Sequence, residues 1–157
     1  MISMMRVTFL LLAASLAWPL HAGQTLAPER IVAQALVKRI VEKYPDLRVV
    51  AMHVTPPGES ENVIIASNIG RIGKKADAED LQVITTGQMF AKVNKDGDRF
   101  EVELPLLDAS RKPIGALAIV FPYKPGDDPS MLKTRAEKIR DELAGQIPQA
   151  AKLMEPF

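Results

Sequence analysis

The segment LPLLDASRKPIGALAIV, residues 104–120, contains two apolar runs separated by the turn Asp108–Pro113. Asp, Ser and Pro are typical turn residues, and apolar runs on either side of them favour a β-hairpin. The second run, residues 114–123, is apolar on both faces, so we expect a central strand that is covered on both sides. A further segment upstream, ASNIGRIGKK at residues 66–75, ends another apolar run in a bend with two glycines.

Two longer helices are predicted from apolar residues that recur at helical spacing. The first runs from Pro28 to Tyr44, and the second follows Pro129 and stops at Gly145. Proline suits the first turn of a helix, where its missing N–H has no partner, and glycine commonly follows the last turn. Residues 76–84 are expected to form a short helix or lid between strands.

Further strands are predicted where β-branched and aromatic residues stand between turn signals. These runs are residues 48–55, 62–68, 89–93 and 100–106. The Asp96-Gly97 step provides the positive φ that a tight hairpin needs. Antiparallel hairpins flanked by segregated helices predict an α+β domain with one curved antiparallel sheet of about five strands.

The run at residues 100–106 predicts one wet, charged face. Its apolar residues alternate with Arg99, Glu101 and Glu103, which is typical of a half-buried strand. Burial does not act on the carboxyl groups of a wet face, so we expect no acid–base pair with separated pKa values there. The second acidic pair, Asp127 and Asp128, is interpreted as a helix-capping turn.

The bend at residues 66–75 and the hairpin that runs into Ile114-Gly-Ala-Leu resemble the extracytoplasmic Cache sensor family, a PAS-like group of the PDC type. The predicted order, a long helix, two strands, a lid and a three-stranded meander, is similar to a single Cache module over residues 28–123. The resemblance implies a small polar or anionic metabolite bound between the sheet and residues 70–88. It also implies that two copies pair through the N-terminal helix. Cache receptors usually carry an output module, and this sequence ends at Phe157, so a membrane receptor or transporter is the expected partner.

The same resemblance locates candidate ligand-binding residues at the end of the second strand and in the lid. Arg71, Lys74 or Lys75 is expected to meet a ligand carboxylate, and arginine forms the better bidentate pair. Polar groups and apolar wall are offered by Ser67, Asn68, Thr85, Thr86 and Met89. The alternative for the basic residues is a solvated bend shaped by the two glycines.

His53 on the first strand is interpreted either as a half-buried strand residue or as part of the cavity wall. It is the only histidine after residue 22, and the chain has no cysteine, so no metal site is expected. The Gly-x-Ser-x-Gly elbow that would expose a serine is absent, so neither enzymatic activity nor a cofactor is expected. Residues 70–75 lack the pattern of a nucleotide phosphate loop, and residues 94–98 lack the later ligands of a calcium loop.

The N-terminus has the layout of a secretory signal, with Arg6, an apolar stretch and a small residue at Ala22. Cleavage after residue 22 leaves a single domain at residues 23–157, which we expect in the periplasm. The chain has 20 basic and 19 acidic residues, and loss of Arg6 makes the charge of that domain zero. Such a balance predicts no nucleic-acid partner.

Two other functions stay open at this point. The first is a non-catalytic envelope interaction module that has the same fold but a cavity filled by side chains. The second is a small hydrolase that uses His53. Ligand binding separates the first from a sensor, and loss of activity on substitution of His53 would be needed to support the second.

Overall fold

A computed structural model describes residues 30–157. The expected secretory signal at residues 1–22, its cleavage after Ala22 and the helix start at Pro28 lie outside the described residues. The elements in chain order are α1 (Val32–Lys43), β1 (Val49–Val54), β2 (Val63–Ser67), α2 (Ala78–Thr86), β3 (Phe90–Val93), β4 (Arg99–Leu107), β5 (Pro113–Pro122), α3 (Pro129–Ala144) and a 3₁₀ helix (Ala150–Met154).

The five strands form one curved antiparallel sheet in the order β2-β1-β5-β4-β3. The α+β prediction is therefore confirmed, and so is the central, covered position of β5, because seven successive residues of that strand are buried. The β4–β5 hairpin closes through the Asp108 carboxylate, which accepts hydrogen bonds from the backbone N–H groups of Ser110 and Lys112. Gly97 has φ 73°, as the hairpin between β3 and β4 was predicted to need.

One face of the sheet carries the apolar core and is covered by α1 and α3. Core side chains such as Met52, Leu104 and Ile119 pack against the helical stripes that contain Leu36 and Ile139. The two helices also meet each other, because the Tyr44 hydroxyl donates a hydrogen bond of 2.9 Å to the Glu142 carboxylate. Complete burial of each large apolar side chain stabilises the folded state by about 2 kcal/mol, so this layer is the main source of stability.

The opposite face of the sheet is covered by the short helix α2. This helix contacts β4 and β5, and its fully buried apolar residue is Val83. The predicted wet face of β4 is therefore wrong: Glu101 and Glu103 point toward α2, and both are only partly exposed. Alternation of residue types showed that the strand has two different faces, but it did not show that a helix covers the polar one.

The end of the chain packs beside the start of α1. The 3₁₀ helix, which the sequence pattern did not predict, buries Leu153 completely. Beyond it, Phe157 donates a backbone hydrogen bond to Arg30, and Val32 donates one to Glu155. None of the helices within residues 30–157 is long and apolar enough to cross a bilayer.

Gly115 is the residue that lets β5 lie close against β1. A Cβ atom at this position would fall far inside the van der Waals radius of the His53 carbonyl oxygen and would also press on Val54. Both atoms belong to a neighbouring strand, whose backbone cannot move away without disturbing the sheet. The glycine therefore fixes the strand spacing directly beside His53.

Gly115→Ala is expected to destabilise the protein by at least about 2 kcal/mol, because the added methyl group overpacks two paired strands. Chemical denaturation measures this change in the free energy of unfolding. Gly145→Ala is the matched control, since a Cβ there meets no atom closer than 3.8 Å. Equal stability of the two variants would mean that β1 and β5 are not as close as described.

A cavity beneath helix α2

A cavity of about 260 Å³ lies between the sheet, α2 and the bend that precedes α2. Its floor is the centre of the sheet, where Ala51 of β1 faces Ala118 of β5 and Ala118 faces Glu103 of β4. The small alanine side chains leave room above the sheet, and longer charged side chains form the walls. Pockets for drug-sized molecules typically begin at about 300 Å³, so this slightly smaller cavity has room for a small ligand only.

The bend at residues 69–77 closes one side of the cavity. It folds back on the outer edge of β2: the backbone N–H of Gly73 donates to the carbonyl of Ile64, and the N–H of Ile64 donates to the carbonyl of Lys74. Gly70 and Gly73 have positive φ, which confirms that they shape the bend. Arg71 also has φ 65°, a left-handed conformation that an arginine seldom adopts and that often marks a functional position.

His53 lies on the floor of the cavity and is 4% exposed. Its position follows from the strand period, because it points to the same face as Val49 and Ala51. Its Nδ1 has no hydrogen-bond partner among residues 30–157. Burial lowers the pKa of His53 below 6.5 despite the nearby carboxylate of Asp80, so the imidazole is uncharged at neutral pH.

Asp80 enters the cavity from the first turn of α2 and is 2% exposed. Its Oδ2 accepts a hydrogen bond of 2.9 Å from the backbone N–H of Asp77, and the Asp77 carboxylate in turn accepts the N–H of Asp80. This reciprocal capping box starts the helix and orients Asp80 toward the sheet. The same Oδ2 lies 3.2 Å from Nδ1 of His53.

Glu103 approaches Asp80 from β4. Burial, followed by the negative charge of Asp80, raises the pKa of Glu103 to about 9. Its Oε2 accepts no hydrogen bond within the described chain, so two ionised carboxylates would face each other without a donor between them. At neutral pH Glu103 therefore keeps its proton and shares it with Asp80. The expectation that Glu101 and Glu103 lie where burial acts on neither is wrong for Glu103.

His53, Asp80 and Glu103, which we call the buried cluster, come from three different elements of the fold. Together they hold a single negative charge at neutral pH, on two carboxyl groups that share one proton, beside an uncharged imidazole. Sequence reasoning found His53 but missed the other two. The available signal was the Asp77-x-x-Asp80 spacing of a capping box, with Val83 three residues further on the same helix face.

Charged side chains around the mouth are mostly paired with one another. Lys92 bonds to Glu79 at 2.5 Å and lies 3.6 Å from Glu101, while Lys74 lies 3.5 Å from Asp77. Arg71 lines the same cavity and forms no ion pair or side-chain hydrogen bond within residues 30–157. It is thus the cation at the mouth that is free to meet a ligand.

The structure brings together four of the nine candidate ligand-binding residues. His53, Ser67, Arg71 and Lys74 line the cavity. The other five do not line it. The Asn68 side chain bonds to the backbone of Val50 and Arg48, the Thr86 hydroxyl bonds to the carbonyl of Gln82, and Met89 packs against the apolar core. Lys75 pairs with Glu61, and Thr85 is exposed. Asn68 and Thr86 are thus occupied by local backbone groups. Met89 lies against the other side of the sheet.

Within residues 30–157 no group of three histidine or acidic side chains is arranged to hold a metal ion. Two wider grooves, of about 390 and 500 Å³, run along the outer face of α1 on either side of Phe157. They are lined mainly by apolar atoms and contain none of the buried polar side chains. The cavity beneath α2 is the smaller space but the one in which polar groups converge, so it is the candidate site.

Comparison with solved structures shows the fold. A protein described as a GAF sensor from Burkholderia vietnamiensis matches with a TM-score of 0.57 and 14% identity over 76% of both chains. The GAF domain region of a membrane protein from Geobacter sulfurreducens has a TM-score of 0.52 and 13% identity over 77% of this chain and 91% of that chain. The inducer-binding domain of the transcription factor PobR from Acinetobacter, solved with 3-hydroxybenzoic acid, has a TM-score of 0.51 and 12% identity over 79% of this chain and 98% of that chain.

The chain therefore has a GAF/PAS-like fold. The sequence matches no protein-family model, and no curated protein matches it. The fold alone does not decide between sensor and enzyme, and a methionine-R-sulfoxide reductase from Thermoplasma acidophilum, with a TM-score of 0.49, is too distant to argue from.

The raised pKa of Glu103 makes stability depend on pH. The native state binds one more proton than the unfolded chain between the usual pKa of 4.5 and the native pKa of about 9. This stabilisation is complete below the unfolded pKa and is lost as the pH rises, by up to about 1.4 kcal/mol per pH unit. Glu103→Gln is expected to abolish this fall in the free energy of unfolding between about pH 7 and 9.

Denaturant titration measures the effect, and the slope is read above about pH 7.5, where His53 is almost entirely neutral in both the native and the unfolded state. Glu101→Gln is the matched control, since Glu101 lies on the same face of β4 and the pKa of Glu103 should persist without it. A Glu103→Gln protein with the wild-type pH slope would contradict the proton assignment.

Proposed function

We propose that this chain is a small-molecule-binding, sensor-type domain whose ligand occupies the cavity beneath α2. The proposal rests on the buried cluster. Within the described residues, Nδ1 of His53 and Oε2 of Glu103 are buried without a hydrogen-bond partner. Buried polar atoms are almost always hydrogen-bonded in proteins, and a ligand that supplies the missing partners explains both exceptions at once.

The ligand is a small polar metabolite, and Arg71 pairs with any anionic group at its outer end. Arginine suits this role because its planar guanidinium group forms two parallel hydrogen bonds with a carboxylate. The solved sensor and inducer-binding domains with the same fold support this proposal by analogy. We propose binding without catalysis, since the hydroxyl of Ser67, the serine of this cavity, accepts a hydrogen bond from the backbone N–H of Ile69.

We place the domain in the Cache branch of these folds and outside the cytoplasm, on the strength of the N-terminal sequence and the bend and hairpin motifs. In this proposal the signal at residues 1–22 is removed and the domain acts in the periplasm with a membrane receptor or transporter. Pairing of two copies through α1 belongs to the same proposal, and the apolar grooves beside Phe157 offer the surface for it. Bound ligand would then be reported to the partner through contacts of α1.

Thermal unfolding in the presence of organic acids, amino acids, amines, purines and divalent metals tests the binding proposal. The single tryptophan lies at position 18, so circular dichroism or a dye should follow the transition. A ligand at about 100 times its dissociation constant adds about 2.7 kcal/mol, which raises the melting temperature of a domain of this size by several degrees. A screen without any shift, together with native mass spectrometry that finds no bound molecule, would favour the interaction module instead.

Arg71→Ala is expected to weaken an anionic ligand by roughly 1.5 to 3 kcal/mol, because a charged hydrogen-bond partner is lost. Isothermal titration calorimetry with the anion found in the screen measures the change. Lys75→Ala is the control, since Lys75 is exposed and paired with Glu61 outside the cavity. Equal affinities of the two variants would remove Arg71 from the site.

Export is tested separately from binding. Expression of the full chain in a Gram-negative host should release a periplasmic protein that begins at Gly23, because small residues precede the cut in a secretory signal. Intact-mass measurement of the periplasmic and cytoplasmic fractions identifies the N-terminus. An unprocessed protein confined to the cytoplasm would overturn the proposed location and leave the cavity proposal in place.

A further inference from the structure

The floor of the cavity is rich in hydrogen-bond acceptors, and its carboxyl groups carry one proton, that of Glu103. Within the described residues no hydrogen-bond partner reaches Nδ1 of His53 or Oε2 of Glu103, and both atoms flank the Asp80 carboxylate. His53 is more than nine-tenths buried and lines the cavity, where its Nδ1 lies 3.2 Å from Oδ2 of Asp80. A group that donates several hydrogen bonds is the chemical complement of this floor.

The charges that face Glu103 and Asp80 are mainly negative. The carboxylates around them are Asp77 from the segment before α2, Glu79 from α2 and Glu101 from β4. The nearby cations are Lys74 from the segment before α2 and Lys92 from β3, while β1 contributes the uncharged His53. The side chains from β5 are those of Ala118 and Val120. Both lysines already pair with carboxylates of the walls, Lys92 with Glu79 and Lys74 with Asp77. Arg71, which is unpaired within the described residues, and Arg99, which lies 3.9 Å from Asp98, also line the cavity. Neither is among the charges that act most strongly on the pKa of Glu103 or of His53, and the floor retains a proton.

We infer that the floor of the cavity binds the primary ammonium group of an organic ligand, which takes the place of the proton shared by Asp80 and Glu103. This inference rests on the proposed function and names the chemistry of the ligand's inner end. An ammonium group has three N–H donors, one for each member of the buried cluster, and its positive charge compensates the carboxylates.

The exchange balances in charge and in protons. Before binding, Asp80 and Glu103 hold one proton and one negative charge between them. The ligand enters as R–NH₃⁺ and keeps its three protons, Glu103 releases its proton to solvent, and two carboxylates then face one ammonium group and the imidazole nitrogen. One proton is therefore released for each ligand bound, and no bond of the ligand breaks.

A primary ammonium group fits better than other cations. A quaternary ammonium group carries the charge but has no N–H donor, so it would leave the acceptors of the floor unsatisfied. An alcohol has a donor but no charge, so it would not displace the proton. Butylamine, tetramethylammonium and 1-butanol are therefore informative probes, because they separate charge from hydrogen-bond donation.

The test is a titration of the purified protein with each probe, in which NMR monitors the signal of the His53 imidazole. The chain has only two histidines, so this signal can be assigned. Butylamine should perturb His53 and bind about tenfold more tightly per pH unit from about pH 7 to 8.5, since one proton is released while the amine, with a pKa near 10.4, stays protonated. Tetramethylammonium, which has no N–H donor, and 1-butanol, which has no charge, should each bind at least about tenfold more weakly than butylamine at about pH 8.

Two variants make the result specific. Glu103→Gln mimics protonated Glu103 and has no proton to release, so it should weaken butylamine by at least about tenfold at about pH 8 and remove the pH dependence. Glu61→Gln, at an exposed residue that pairs with Lys75 outside the cavity, should retain both. Unchanged binding or an unchanged pH slope in Glu103→Gln would overturn the inference, as would tetramethylammonium binding as tightly as butylamine.

The outcomes also separate this inference from the proposed function. A carboxylate or purine that binds in the cavity while butylamine does not would leave the sensor proposal standing and refute the ammonium floor. A divalent metal that binds through Glu103 in place of the amine would refute it too. If no compound of any class perturbs His53 or raises the melting temperature, both proposals fail together.

Discussion

The attachment of α2 to the sheet is the constraint on which the rest of the site depends. A nine-residue helix is not stable alone in water, so tertiary contacts must hold it in place. Those contacts come chiefly from two buried side chains, Val83 and Asp80. One of these two side chains, Asp80, is ionisable, so the position of α2 is coupled to the proton on Glu103.

This arrangement differs from the packing on the other side of the sheet. There α1 and α3 bury a continuous set of aliphatic and aromatic side chains, and the ionisable pair that joins them, Lys43 with Glu142, is partly exposed. A polar layer is justified where a ligand must be admitted and released, because apolar packing would fill the space. The alanines at positions 51 and 118 keep that space open, and the observed volume of about 260 Å³ argues against a cavity filled by its own side chains.

The sequence predicted the fold well because each strand and helix has its own local signal. Turn residues marked the hairpins, helical spacing marked α1 and α3, and the run at residues 114–123 showed the central strand. The prediction of the site was weaker for a physical reason. Alternation along β4 assigned Glu103 to a polar face, but whether that face meets water depends on a helix from elsewhere in the chain. His53 was assigned to the correct face of the sheet. Asp80 was missed because it comes close to His53 only when α2 packs across the sheet.

The contact between the end of the chain and α1 has a mechanical consequence. Arg30 and Phe157 are joined by a backbone hydrogen bond, with Val32 and Glu155 joined beside them. A force applied at residues 30 and 157 would act first on these backbone hydrogen bonds, before it reached the strands that form the floor of the cavity.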